Sequence, residues 1–446
     1  MPEETPAVPA CDRAVGIGFY LSSRPGVPGR LKATAEEFRV REVSSYPRPD
    51  PAGPYTVLRV ESRDWEQHEL AEAVARRLGL PRRSVSWSGT KDRRAVSERL
   101  FAYRGPLPSG ELGLPNVTVL DAYPSREGLV LGRHYANAFE IHVGEIAEPA
   151  AALLAYREVE RELRAAGGIP NFFGAQRFGE VRPVTHEVGR WIVRGDLPRA
   201  VDAYLIDRPA TGTEGVGDPA RTAFGEHRDP TRALAEFPHE YRFERSILER
   251  LARGDRPDRA LRALPHDLRR LFVHAFQSYL FNRLLTARHD ASLPLDRPVA
   301  GDTIVRLGRD GTYRGQDVAE VGDENLPECT DLVRRGRALV AGPLVGVSTV
   351  LPVGEPTRLL ERILTEEGVT PASFSVPAAP ELGSEGTWRS LLVPLPPLDL
   401  EADARGVWFR FALPKGAYAT VVLREFLKPA GPARPRTTGP AEPTNT

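Results

Sequence analysis

Ser86-Trp87-Ser88-Gly89-Thr90-Lys91-Asp92-Arg93-Arg94-Ala95-Val96 sets an aspartate beside a lysine just after a glycine turn. From Arg76 to Arg104 there are nine basic residues: Arg76, Arg77, Arg82, Arg83, Lys91, Arg93, Arg94, Arg99 and Arg104. Only Asp92 and Glu98 oppose them, so this window carries +7 in a chain whose formal charge is zero. Nearby cations favour the ionised form of a carboxylate. Asp92 could therefore act as a nucleophile on a substrate that the surrounding charge draws in. The competing use is a helix cap at Arg93, the commoner role of an Asp after a glycine turn.

Lysine usage marks other positions. The chain has four lysines, at 32, 91, 415 and 428, and its other 56 basic residues are Arg. A compact ammonium and a planar guanidinium are not interchangeable in a tight site. A third group, Ile169-Pro170-Asn171-Phe172-Phe173-Gly174-Ala175-Gln176-Arg177-Phe178-Gly179, mixes aromatics, amides and glycine without a clear period. As core it would bury Asn171, Gln176 and Arg177 at a cost; as a ligand-contact loop the composition makes sense.

The elements that must position these residues follow from periodicity. Phe38–Val43 alternates apolar and charged side chains, as a half-buried strand does, and Tyr55–Val60 returns to alternation. Leu70, Val74 and Leu78 give a helix of about 64–78 its stripe, with Asp64 as cap and Gly79 as stop. Ser84–Ser88 reads as a short strand, so Asp92 follows a strand-to-turn junction, where a rigid scaffold commonly presents catalytic side chains. A second helix spans about 149–166, punctuated by Pro149 and Gly167-Gly168. Residues 212–230 read as a loop, about 266–286 and 359–368 as helices, and 299–350 as β structure. Strand-like runs resume at 391–393, 407–413 and 418–423. Residues 429–446, rich in Pro, Thr and Gly, read as a disordered tail.

At 446 residues, 41% hydrophobic and 27% charged, the chain is expected to be a soluble protein of two domains, or of one with a large insertion. Two cysteines, Cys11 and Cys329, leave no basis for a disulfide framework or a cysteine-rich zinc site. There is no apolar run of membrane-spanning length and no signal-like N-terminus, so a cytoplasmic protein is expected. Gly16-Ile17-Gly18 is half of a dinucleotide fingerprint and lacks the rest.

Gly89–Ala95 and Asn171–Gly179 together resemble the TruD family of tRNA pseudouridine synthases, and its archaeal branch more than its bacterial one. Leu31-Lys32-Ala33 with Glu37–Glu42, His274–Arg283, and Leu413–Thr420 running on to Arg424-Glu425 match further family segments in order. The resemblance implies an α/β (α+β) fold: a catalytic domain with a mainly antiparallel sheet, at 1–196 plus 388–428, interrupted by an inserted α/β domain at 197–387, with RNA bound between them. It implies isomerisation of uridine to pseudouridine in tRNA, by default at uridine 13 of the D-arm, without cofactor or metal, by a monomer. Asp92 matches the family's nucleophile, attacking C6 of the base or C1′ of the sugar of a flipped-out uridine. Lys32 matches its active-site lysine. Phe173 matches the aromatic of the uridine pocket, and Asn171 is expected to bond Asp92 or the uridine. Lys91 is expected in a supporting or phosphate-binding role, and Gln176, Arg177 and Phe178 in shaping the pocket or packing its loop. The departures are Thr34-Ala35-Glu36-Glu37, where the family favours a Pro-Glu-Asp-like run, and Ser97-Glu98-Arg99 after the aspartate. Other readings remain: an inactive RNA-binding protein of this fold, a synthase acting at another RNA position, or a carboxylate hydrolase, for which Glu98 is the one second acid near Asp92.

Overall fold

The computed structural model describes residues 6–44, 46–81, 83–89, 91, 93–108, 110–179, 182–207, 217–308 and 313–428. The expected tail at 429–446 lies outside them. The chain forms two compact units: one of Ser22–Ala165 with Pro394–Lys428, the other of Ala166–Val393 with an N-terminal piece ending at Leu21. At both ends the division falls outside the insert expected from sequence, so residues 166–196 and 388–393 group with it. Hydrophobic packing explains the first: Val188, Ile192 and Val193 share a core with Leu197, Val201 and Phe272.

The first unit is built on one sheet. Its main order is Asp399–Ala402, Gly406–Pro414, Ala136–Gly144, Phe38–Val43, Val96–Arg104, Tyr55–Arg63 and Val117–Ser125. The neighbours are antiparallel except Phe38–Val43 with Val96–Arg104, which run parallel with Arg39 opposite Val96. C-terminal strands therefore complete a sheet begun near the N-terminus. Helix Gln67–Arg77 lays Leu70 and Val74 against Leu58, Val60 and Phe101. Its cap is Glu66, whose carboxylate accepts from the amides of His68 and Glu69. Asp64, the expected cap, is instead turned out of helical geometry at φ 60°. Helix Pro149–Ala165 buries Tyr156 against Phe409 and Phe426.

Of residues 418–423, read as a strand, all but the N-cap Tyr418 belong to helix Ala419–Leu427. Val421, Val422, Leu423, Phe426 and Leu427 are all buried. Nearly all of this helix is buried, so no wet face marks it, and the adjacent β-branched Val421 and Val422 imitate a strand.

The second unit has an antiparallel sheet in the order Tyr313–Glu320, Thr303–Leu307, Ala338–Leu344, Thr387–Ser390. The 25-residue helix His266–Asp290 lies in its core. Two expectations fail here. Helix Leu326–Arg334 interrupts the stretch read as β. Helix Pro219–His227 occupies part of the stretch read as loop, and another helix, Pro230–Glu236, begins where that stretch ends. Both follow an Asp-Pro pair in which Asp218 or Asp229 accepts backbone amides. Proline there starts a helix rather than breaking one.

Candidate active site

Asp92, Thr90 and Arg82 lie outside the described residues, but both flanks of Asp92 are defined. The strand alternation that buries Phe38 and Val40 also turns Glu42 inward. A buried carboxylate needs partners. Ser88 Oγ donates to Glu42 Oε1, and Lys91 Nζ donates to Glu42 Oε2 at 3.2 Å. The Lys91 and Glu42 side chains are only 3% and 2% exposed, so this ion pair is almost dry. Of the two roles expected for Lys91, this burial favours the supporting one. His134 Nδ1 lies 3.1 Å from the Ser88 carbonyl, and burial, then the Lys91 charge, lower the imidazole's affinity for a proton. A Cβ on Gly89 would lie 2.9 Å from Lys91 Nζ and 3.0 Å from His134 Cε1, so glycine leaves room for both. No helix begins at Arg93. Residues 93–95 bend and Val96 opens a strand, which removes the helix-cap reading of Asp92.

Lys32 follows the short strand Arg30–Leu31, which pairs with Ala136–Gly144. Its side chain is buried, with Nζ 4.1 Å from the Phe38 ring centroid. Its backbone is left-handed, at φ 55°. That conformation costs a non-glycine residue on the order of 1–3 kcal/mol and tends to persist where function requires it. The amides of Ala33 and Thr34 donate to Glu37 Oε2 at 2.9 and 3.3 Å, which shapes the loop after Lys32. That loop is tied to the segment following Asp92: Arg94 Nη2 donates to the Ala33 carbonyl at 2.7 Å, and Val96 N to the Ala35 carbonyl at 3.3 Å.

Asn171, Phe173 and Arg177 come together in the second unit. Asn171 Nδ2 donates to Ser390 O and Ser390 Oγ, both at 3.0 Å, and its Oδ1 accepts from Arg389 Nη2. Both amide hydrogens of Asn171 are thus engaged. Phe173 is fixed by a reciprocal pair with the Asn282 amide, at 2.8 and 3.0 Å. Arg177 Nε donates to Ser278 Oγ at 3.1 Å. His274 on the same helix is pushed down to about 4, first by burial and then by the charges of Arg177 and Arg270, so it is neutral near pH 7. Glu42, Ser88 and Arg389 were not singled out in the sequence. An acidic residue at the inward i+4 position from Phe38 was a signal for Glu42. Arg389 had none among so many arginines.

The family model described as tRNA pseudouridine synthase D (TruD) matches residues 14–426. The chain belongs to the TruD family.

Among its relatives is a Halobacterium salinarum protein named "Probable tRNA pseudouridine synthase D", 39% identical over 433 residues, which cover 94% of this chain and 98% of the relative. A Natronomonas pharaonis protein of the same name is 37% identical over 431 residues, covering 94% and 97%. A TruD crystal structure from Methanosarcina mazei superposes with a TM-score of 0.79 at 32% identity, covering 94% of this chain and 98% of that one. The mixed α/β fold with mainly antiparallel sheets agrees with this neighbour. Among the described residues of this TruD protein, no helix is long and apolar enough to cross a membrane, and no group of three or more His, Cys, Asp or Glu could hold a metal ion.

The basic window of this family member divides in two. Arg76, Arg77, Arg83, Arg93, Arg94 and Arg104 are exposed. Arg99 is buried and donates to Gln67 Oε1 at 2.8 Å, and burial lowers it to about 10. It supports the sheet and offers no charge to a ligand.

Proposed function

We propose that this chain converts uridine to pseudouridine in tRNA, at uridine 13 of the D-arm. The N1–C1′ bond breaks, the freed uracil turns, and C5 bonds to C1′. C5 gives up a proton and N1 gains one, so the reaction is an isomerisation that consumes no co-reactant. Asp92 is the nucleophile. Lys32 favours its ionised form, because a nearby cation stabilises a carboxylate. Phe173 stacks on the flipped base, an interaction worth roughly 1–3 kcal/mol. The supporting observation is the pair of hydrogen bonds that tie the Lys32 loop to Arg94 and Val96, directly after Asp92. Asn171 acts in this scheme through Ser390 and Arg389, to which its amide is bonded.

Mapping pseudouridine in tRNA from cells lacking the protein tests the target. Position 13 is expected to become unmodified, and to be restored by the wild-type gene. Persistence of pseudouridine at 13 would move the target elsewhere.

RNA affinity is expected to come from the exposed arginines around 76–104. Replacing Arg82 and Arg83 together with Ala should weaken tRNA binding and lower the slope of log affinity against log salt by about 2, roughly one per lost phosphate contact. An unchanged slope in a filter-binding titration would remove both residues from the interface.

A further inference from the structure

Phe173 already has a planar partner. The Arg389 guanidinium carbon lies 3.9 Å from the Phe173 ring centroid. An approach that close must come over a face of the ring, since the ring's own atoms fill the in-plane directions. The orientation of Arg389 is fixed by more than the stack. Its Nε donates to the Asn171 carbonyl at 2.9 Å, and its Nη2 donates to Asn171 Oδ1. The next residue, Ser390, takes both amide hydrogens of Asn171. Arg389 and Ser390 sit in strand Thr387–Ser390, held in register opposite Gly342 and Ala341. One strand end thus grips the side chain and backbone of Asn171 and covers one face of Phe173.

We propose that Arg389 is a positioning residue for the target uridine. It packs over the ring of Phe173, which is only 7% exposed and also meets Phe281 edge-on at 5.9 Å, and so fixes the plane of that ring. It also fixes the Asn171 backbone two residues before that ring. A planar fork is needed: a lysine could supply the charge but could neither lie flat on the ring nor bond a carbonyl and an amide oxygen in one plane. The inference rests on the proposed stacking role of Phe173 and adds the group that holds both that ring and Asn171 in place.

The test uses the full chain with Arg389→Ala, Arg389→Lys and Phe173→Ala. Single-turnover pseudouridine formation, tRNA dissociation constant and thermal unfolding are measured on a target tRNA transcript. Arg389→Ala is expected to lose about 10²-fold in rate, the scale on which small misplacement of a reacting group acts. Its tRNA affinity should stay within about twofold, because phosphate contacts supply most of that affinity. Arg389→Lys should remain within a few-fold of Arg389→Ala, and added millimolar guanidinium should raise the rate of Arg389→Ala but not that of Phe173→Ala. If Arg389→Ala cannot be obtained folded, Arg389→Lys carries the test alone, with the same rate loss expected. Four results overturn the inference: a rate within threefold of wild type; full activity in Arg389→Lys; a tRNA affinity that falls with a shallower salt slope, which would make Arg389 a phosphate contact; or a lower KM with an unchanged rate, which would make it a plug that the base displaces. Phe173→Ala separates the two levels. If it keeps the wild-type rate, the stacking reading itself fails; if it is impaired while Arg389→Ala is not, only the role of Arg389 fails.

Discussion

Asp92→Ala is expected to abolish pseudouridine formation while leaving tRNA affinity largely intact. Removing a nucleophile on which the other groups depend costs on the order of 10⁴–10⁶ in kcat. Asp92→Asn should fail as completely, because the amide keeps the shape and loses the nucleophilic charge. The measurement is single-turnover conversion of a target tRNA, with binding followed separately. Activity within tenfold of wild type would sink the nucleophile assignment. A wild-type chain that bound tRNA without converting any uridine would leave the inactive binding protein as the reading. Strand cleavage or base release in place of isomerisation would point to a hydrolase.

The second large effect is on stability. Glu42→Ala would leave the Lys91 ammonium buried at 3% exposure without the carboxylate 3.2 Å away. Breaking one side of a buried ion pair typically costs about 3–5 kcal/mol. Removing both charges with Glu42→Leu and Lys91→Met should recover most of that loss, since apolar side chains of similar volume often replace such a pair at little cost. Urea unfolding supplies the comparison. Native-state hydrogen exchange of the amides in Phe38–Val43 shows whether the loss is local to this sheet. A Glu42→Ala chain within 1 kcal/mol of wild type would contradict the dry pair described above.

Elements with one wet face were legible in the sequence. Strand Phe38–Val43 kept its alternation and helix Gln67–Arg77 its stripe, because solvent on one side imposes a period. Elements without that contrast were misread or overlooked. Helix Ala419–Leu427, buried almost throughout, passed for a strand, and strands Val96–Arg104 and Ala136–Gly144 were not singled out. The stretch 212–230 reads as a loop, yet its Asp-Pro pairs begin helices at Pro219 and Pro230. The site was legible in its residue types and much less so in its contacts. Lys32, Asn171 and Phe173 were singled out by composition and family pattern. The burial of Lys91 against Glu42 depends on a strand and a turn 49 residues apart, and local spacing does not encode that pairing. Arg389 lies 218 residues from Asn171 and was indistinguishable from the other arginines before the chain folded.

The main sheet also has a consequence for biogenesis. Strand Ala136–Gly144 is flanked by Phe38–Val43 on one side and by Gly406–Pro414 on the other. During synthesis the first neighbour is ready at once, whereas the second is 270 residues away, counting from Gly144 to Pro414. At roughly 5–20 residues per second the ribosome takes about 14–54 s to supply it. Throughout that interval one edge of the nascent sheet presents open amide and carbonyl groups, the kind of edge that recruits strands from other chains. A nascent-chain chaperone that shields exposed strand edges should therefore engage this polypeptide early and release it only after Pro414 has emerged from the exit tunnel.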